Sequence, residues 1–173
     1  LKYNLSDFWQ WSVSDLVSNA TRGRLAEFIV AKALGVDTGI PRDEWQAYDL
    51  LTPDNLKVEV KSAAYIQSWY QKELSKISFS IKKSRTWDPE TGVQGRETTR
   101  GADAYVFALL DHKDKETINP LNLDQWLFYI LTTREISDYR ETGRSISLKA
   151  VEKITQGVRY DRLRGELNRK VRG

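Results

Sequence analysis

The sequence predicts an α/β fold in which a central mixed β-sheet is flanked by helices. Three observations carry that expectation. Residues 21–34 have helical spacing and are apolar around most of the circumference, as a helix packed on a sheet is. Five strand-length runs follow, at 45–51, 57–62, 77–81, 104–110 and 125–132. A second helix over 147–154 completes the order helix, three strands, loop, two strands, helix.

Taken in order, Ser6 and Asp7 are expected to cap a short helix carrying Phe8, Trp9 and Trp11. The helix over 21–34 ends at Gly35, with Leu25, Phe28, Ile29, Ala33 and Leu34 as its apolar positions. Pro53-Asp54-Asn55 is turn chemistry for a three-residue hairpin loop between the first two strands. Residues 84–101 hold Pro89, Gly92, Gly95 and many polar side chains, and predict a long mobile loop. Ser147 caps the later helix, which carries Leu148, Val151 and Ile154 on one face. With no repeat or linker, residues 1–173 form a single domain, with a core over about 20–132 and a helical basic extension over about 145–173.

Composition narrows the chemistry. Without cysteine there is neither a disulfide nor a thiolate metal site. The single histidine, His112, lies in the polar stretch after a strand and is expected to be a solvated loop residue; no G-x-S-x-G motif is present. Carboxylates and lysine remain for hard chemistry. No apolar run approaches the roughly 18–20 residues of a membrane span, and the first residues lack a signal-like apolar stretch, so the expected setting is the cytoplasm, away from membranes. The net charge of +3 is small, but its distribution is uneven. Residues 76–85 carry Lys76, Lys82, Lys83 and Arg85 with no acid; residues 158–173 carry six bases against Asp161 and Glu166. Two basic blocks on a balanced chain suit a polyanion, and ordinary solvated surface accounts for them as well.

The most informative stretch is the hairpin from Asp49 to Lys61. A three-residue loop makes the numbers of opposing residues sum to 108, so Asp49 faces Glu59. Alternation then puts Tyr48, Leu50, Val58 and Val60 on one face, and Asp49, Leu51, Lys57, Glu59 and Lys61 on the other. Opposed carboxylates, at about 5 Å between Cβ atoms, repel each other and attract a cation; an oxygen-rich pair suits Mg²⁺ or Mn²⁺. Lys61 shares their face. A half-exposed hairpin with a charged outer face is the plainer reading. Glu27 adds a further acid on the largely buried first helix, with Gly23 and Ala31 one turn away on either side. A buried acid is costly unless it is paired or metal-bound, and a salt bridge to Arg24 or Lys32 is the alternative.

The run Arg22-Gly23-Arg24-Leu25-Ala26-Glu27-Phe28, then Tyr48-Asp49, then Val58-Glu59-Val60-Lys61-Ser62, resembles the PD-(D/E)XK superfamily of restriction-endonuclease-like nucleases. Tyr48 stands where the strict motif has proline. The resemblance implies a restriction-endonuclease-like core and a Mg²⁺- or Mn²⁺-dependent endonuclease that hydrolyses DNA. In it Asp49, Glu59 and the Val60 carbonyl hold the ion, Glu27 ligates it directly, through water or through a second ion, and Lys61 serves the attacking water or the transition state. The three acids and Lys61 are then expected to converge within a few ångströms. Lys82, Lys83 and Arg85 would hold nucleic acid, with Trp69 and Tyr70 stacking on bases or packing in the core, and Gln67 and Gln71 adding polar contacts. The alternative is a module that keeps the nuclease fold and binds nucleic acid without cutting. A homodimer is left open.

Overall fold

The computed structural model describes residues 2–42, 46–87, 91, 94–140 and 142–173. Its centre is β6 (Ala104–Leu110), a strand buried at every position. So apolar a run is covered on both faces, the usual state of a strand with a parallel neighbour. That neighbour is β2 (Lys57–Ala64), running parallel in a register of Val58 with Ala104 through Ala64 with Leu110. On its other side β6 pairs antiparallel with β7 (Trp126–Thr132), and β2 pairs antiparallel with the short β1 (Leu50–Leu51). The sheet order is β1-β2-β6-β7, a mixed sheet as expected.

Alternation along these strands divides the core into two layers. Val58, Val60, Val106, Ala108, Phe128 and Ile130 face α2 (Asn19–Leu34) and α5 (Leu163–Arg172), which contribute Ala26, Val30, Leu34, Leu163 and Leu167. Phe107, Leu109, Tyr129 and Leu131 face the opposite layer, built from Phe79, Ile81, Ile136, Ile146 and Val151. The rings of Phe79 and Phe107 lie 4.9 Å apart. Helix α2 ends as its sequence dictates: Gly35 takes the left-handed conformation (φ 77°), and Val36 N–H reaches back to the Ala31 carbonyl at 2.9 Å. The layers are those of an α/β fold, a mixed sheet with helices on both sides.

Several local expectations are corrected. The expected strand over 77–81 is only β3 (Ser78–Ser80), and it leaves the central sheet to pair with β8 (Ser145–Ser147) over the second core layer. The expected mobile loop over 84–101 contains a hairpin, β4 (Ser84–Trp87) paired with β5 (Gln94–Thr99) through a register shift. Turn-forming residues in its middle masked the strands on either side; Pro89 and Gly92 themselves lie outside the described residues. The first helix, α1 (Leu5–Val13), is capped by Asn4 rather than by Ser6: Asn4 Oδ1 accepts from Asp7 N–H at 3.1 Å, and Asp7 Oδ2 accepts from Asn4 N–H at 2.8 Å. Its aromatics are exposed.

After β7 comes α3 (Thr133–Arg140), a helix the sequence reading lacked, opened by a reciprocal cap between Thr132 and Glu135. Then α4 (Leu148–Ile154) starts at Ser147, whose Oγ accepts from Ala150 N–H at 3.3 Å. Leu163 and Leu167 of α5 are fully buried against the sheet, so the C-terminal segment belongs to the core instead of extending from it. Among the described residues no helix is long and apolar enough to cross a membrane.

Candidate active site

The site starts from the turn at Thr52–Leu56. Asn55 takes a left-handed conformation (φ 61°), and Thr52 and Asn55 close the turn through backbone bonds of 2.9 Å. The resulting register pairs Leu50 with Val58 and Leu51 with Lys57, the sum of 108 read from the sequence. The expected strand over 45–51 survives only at its end; residues 46–49 form a bend, and Trp45 lies outside the described residues. In that bend Asp49 continues the pairing by other means. Its N–H donates to the Val58 carbonyl at 3.1 Å, and its Oδ2 accepts from Val60 N–H at 2.7 Å. The carboxylate thereby replaces a strand partner at the edge of β2. The bend also returns Tyr48 to the second core layer, while Leu50 stays with the first, contrary to the simple alternation.

Gly101 holds this bend close. A Cβ there would lie 2.7 Å from the Ala47 carbonyl oxygen, far inside van der Waals contact. Only glycine lets the chain before β6 approach the segment that carries Asp49.

On β2, Glu59 and Lys61 project from the same face, and their side chains form an ion pair. Glu59 is 19% exposed and Lys61 31%. Both line a cleft of about 640 Å³ whose wall includes Lys82, Lys83, Arg85 and Tyr105. Glu27 comes from α2, on the other side of Asp49. With Asp49 it lines a second cavity of about 520 Å³, beside Phe28, Ile40 and Arg42. Its Oε2 is buried and 3.0 Å from Arg42 Nε, in an ion pair that lacks hydrogen-bond geometry. The partner is thus Arg42, not the Arg24 or Lys32 weighed from the sequence.

Asp49 couples the two cavities electrostatically. Burial, then the Asp49 charge, pushes Glu27 up to about 7, against the opposing pull of Arg42 and Lys61. The same two causes, burial first, raise Glu59, with Lys61 opposing. Tyr105, the register partner of Glu59 across the parallel pair, is pushed up to about 12 by burial and then by Glu59. The acids therefore share one field of excess negative charge. They are not gathered more tightly than that: among the described residues no group of three or more His, Asp or Glu stands close enough to hold a metal ion. The expected convergence within a few ångströms is absent because Glu27 and Glu59 turn to cations of the chain itself and Asp49 caps a backbone N–H.

The remaining expected contact residues divide. Lys82, Lys83 and Arg85 line the cleft with Glu59 and Lys61. Trp69 and Tyr70 are 53% and 82% exposed, so they do not pack in the core. Gln67 is corrected: it is buried, its Nε2 donates to the Ala64 carbonyl at 2.8 Å and to Ser75 Oγ at 3.2 Å, and it braces the loop from inside. Gln71 does the same work, accepting from Gln67 N–H at 2.7 Å. His112 is half-buried, with Nε2 2.8 Å from Thr117 Oγ1. Tyr105 and Arg42 were missed. Tyr105 meets Glu59 only through a parallel register, which has no signature in sequence, and Arg42 approaches Glu27 only through the fold of the loop after α2.

No curated protein matches the chain. A solved structure described as a bacterial homing endonuclease, I-Ssp6803I, is distantly similar, at 20% identity over 90% of this chain and 94% of that one, with a TM-score of 0.43. The family model described as bacteriophage T4 endonuclease IV matches residues 1–150. The chain belongs to the bacteriophage T4 endonuclease IV family.

Proposed function

We propose that this chain is a metal-dependent endonuclease that hydrolyses DNA, with Glu27, Asp49, Glu59 and Lys61 as a PD-(D/E)XK active site. One observation carries the reading: Glu59 and Lys61 line a cleft with Lys82, Lys83 and Arg85, and the acids of α2, the bend and β2 are near enough for the Asp49 charge to raise both Glu27 and Glu59. Membership of a family named for an endonuclease supports it.

The donors are of the kind a hard divalent cation takes, but as they stand they are not gathered around one, so binding would require Glu27 to leave Arg42 and Glu59 to leave Lys61. Glu27 Oε2 is buried without a hydrogen bond, and burial with a neighbouring carboxylate raises Glu27 and Glu59, so a cation relieves what their own partners leave unneutralised. Asp49, Glu59 and the Val60 carbonyl would hold Mg²⁺ or Mn²⁺, with Glu27 completing the set. When bound, such an ion lowers the pKa of water and offsets charge on the phosphate. Lys61 then leaves Glu59 for a phosphate oxygen or the attacking water, and its charge stabilises the phosphorane-like transition state. Lys82, Lys83 and Arg85 draw the DNA backbone into the cleft. Tyr105, pushed up to about 12 by burial and then by Glu59, stays protonated in the lining of the same cleft. A cytoplasmic setting, where DNA is met, is part of the same proposal.

The test is cleavage of plasmid and oligonucleotide DNA with Mg²⁺ or Mn²⁺, against EDTA, together with calorimetry of Mn²⁺ binding to wild type and Asp49→Asn. Metal-dependent cutting and a heat that Asp49→Asn loses are expected. DNA binding without cutting under every metal would replace the proposal with a non-cleaving binding module, and equal heats would remove the metal site.

A further inference from the structure

Arg22 is 4% exposed, yet every acceptor that holds it is uncharged. Its Nε donates to Ser62 Oγ at 3.2 Å, Nη1 to the Val17 carbonyl at 2.8 Å and to Gln67 Oε1 at 3.4 Å, and Nη2 to Asn19 Oδ1 at 2.7 Å. These bonds satisfy donors without neutralising the guanidinium, which stays protonated in proteins. A buried charge held only by neutral dipoles is costly, and an anion relieves the cost.

The cavity beside Arg22 has the lining for one. It measures about 350 Å³ and contains the cations Arg22 and Lys76, the hydroxyls of Ser62, Ser75 and Ser78, and no carboxylate. Trp69 stands at it, 53% exposed. The cavity comes next along the strands that line the cleft, Lys61 and Ser80 lining the cleft and Ser62, Ala63 and Ser78 the cavity, with Ser62 turned to Arg22 on the α2 side. The internal bonds of Gln67 and Gln71 fix the loop that carries Trp69.

We propose that this cavity seats a second phosphate of the nucleic-acid strand, beside the one that is cut, with Arg22 and Lys76 supplying charge and Trp69 a platform for the adjoining base. The inference rests on the nuclease reading for its ligand class. Four of the five N–H donors of Arg22 are already taken, so it would serve the phosphate through its charge and its remaining N–H while the exposed Lys76 makes the direct ion pair, and an exposed indole offers a stacking face to any base.

The test is binding of labelled DNA oligonucleotides in EDTA, with one neutral methylphosphonate linkage walked along the strand. In wild type, neutralising a single position beside the cut should weaken binding about tenfold. Lys76→Ala should bind natural DNA about tenfold more weakly and lose clearly less than wild type to the neutral linkage at that position alone, Arg22 accounting for what remains. Trp69→Ala should weaken binding at all salt concentrations. Arg22→Gln should behave as Lys76→Ala; circular dichroism shows whether it folds, and the exposed Lys76 tests the same cavity if it does not. A neutral linkage that costs Lys76→Ala as much as wild type at every position overturns the proposal. Because no metal is present, loss of cutting sinks the nuclease reading and leaves this one standing, while uniform interference does the reverse.

Discussion

The two basic blocks of this chain carry the same net charge and have opposite fates. In residues 158–173 four of the six cations are engaged by the chain itself at 3.3 Å or closer. Arg159 donates to the carbonyls of Asp124 and Trp126 at 2.9 and 2.7 Å, Arg169 pairs with Glu166 at 2.6 Å, Lys170 with Glu135 at 2.6 Å, and Arg172 with Asp54 at 3.3 Å. In residues 76–85, Lys82, Lys83 and Arg85 line the cleft of Glu59 and Lys61, and Lys76 lines the cavity of Arg22. Charge along a sequence thus does not locate a polyanion surface. What decides is where the fold puts the block: α5 lies against the sheet, whereas Lys82, Lys83 and Arg85 stand on the wall of a cleft.

The comparison is broken most severely if α5 proves dispensable. Leu167 is 1% exposed in the first core layer, so Leu167→Ala should cost about 2–5 kcal/mol in denaturant unfolding. A loss below about 0.5 kcal/mol, the range of surface substitutions, would return the segment to the role of an appendage. Next in size is DNA binding. Lys82→Ala combined with Arg85→Ala should weaken it about tenfold or more and lower the salt-dependence slope by nearly two, with stability unchanged. Arg162→Ala with Arg172→Ala, which removes as much charge from the other block, should leave affinity within about twofold. Equal effects from the two pairs would erase the distinction.

Smaller again is the pH response of the block at 158–173. Burial alone raises Glu135, but hydrogen bonds from Lys170 and Thr132 outweigh it and hold the carboxyl below its ordinary value. A depressed carboxylate contributes stability that is present above its unfolded pKa of about 4.3 and is lost as the pH falls through the folded value. Glu135→Gln should therefore lower the melting temperature slightly at pH 7 and flatten its fall below about pH 5. The pair is partly buried, Lys170 more than Glu135, and the effect should be about 1 kcal/mol. An unchanged acid limb would remove Lys170 from the fold-serving set.

What was legible in the sequence follows the range of the forces involved. The hairpin register was readable because a three-residue turn and alternation fix it locally, and the 108 sum holds in the structure. The end of α2 at Gly35 was readable for the same reason. The bend at 46–49 was not: it depends on Gly101, more than fifty residues away, admitting the Ala47 carbonyl. Tyr105 was hidden by the parallel register and Arg42 by a loop. Trp69, for which stacking on bases and core packing were both open, is exposed, whereas Gln67 lies inside, where its amide bonds Ala64, Ser75 and Arg22.

The central claim is that Lys61 acts on the reacting phosphate and does not hold the fold. Lys61 is partly exposed and its bonded partner is Glu59, so Lys61→Ala opens no core cavity. The decisive measurement is single-turnover cleavage of a DNA oligonucleotide by Lys61→Ala with Mn²⁺, read beside its DNA affinity and melting temperature. The account predicts a rate lower by about 10²–10³, with affinity and melting temperature nearly those of wild type. Cleavage at the wild-type rate would contradict it.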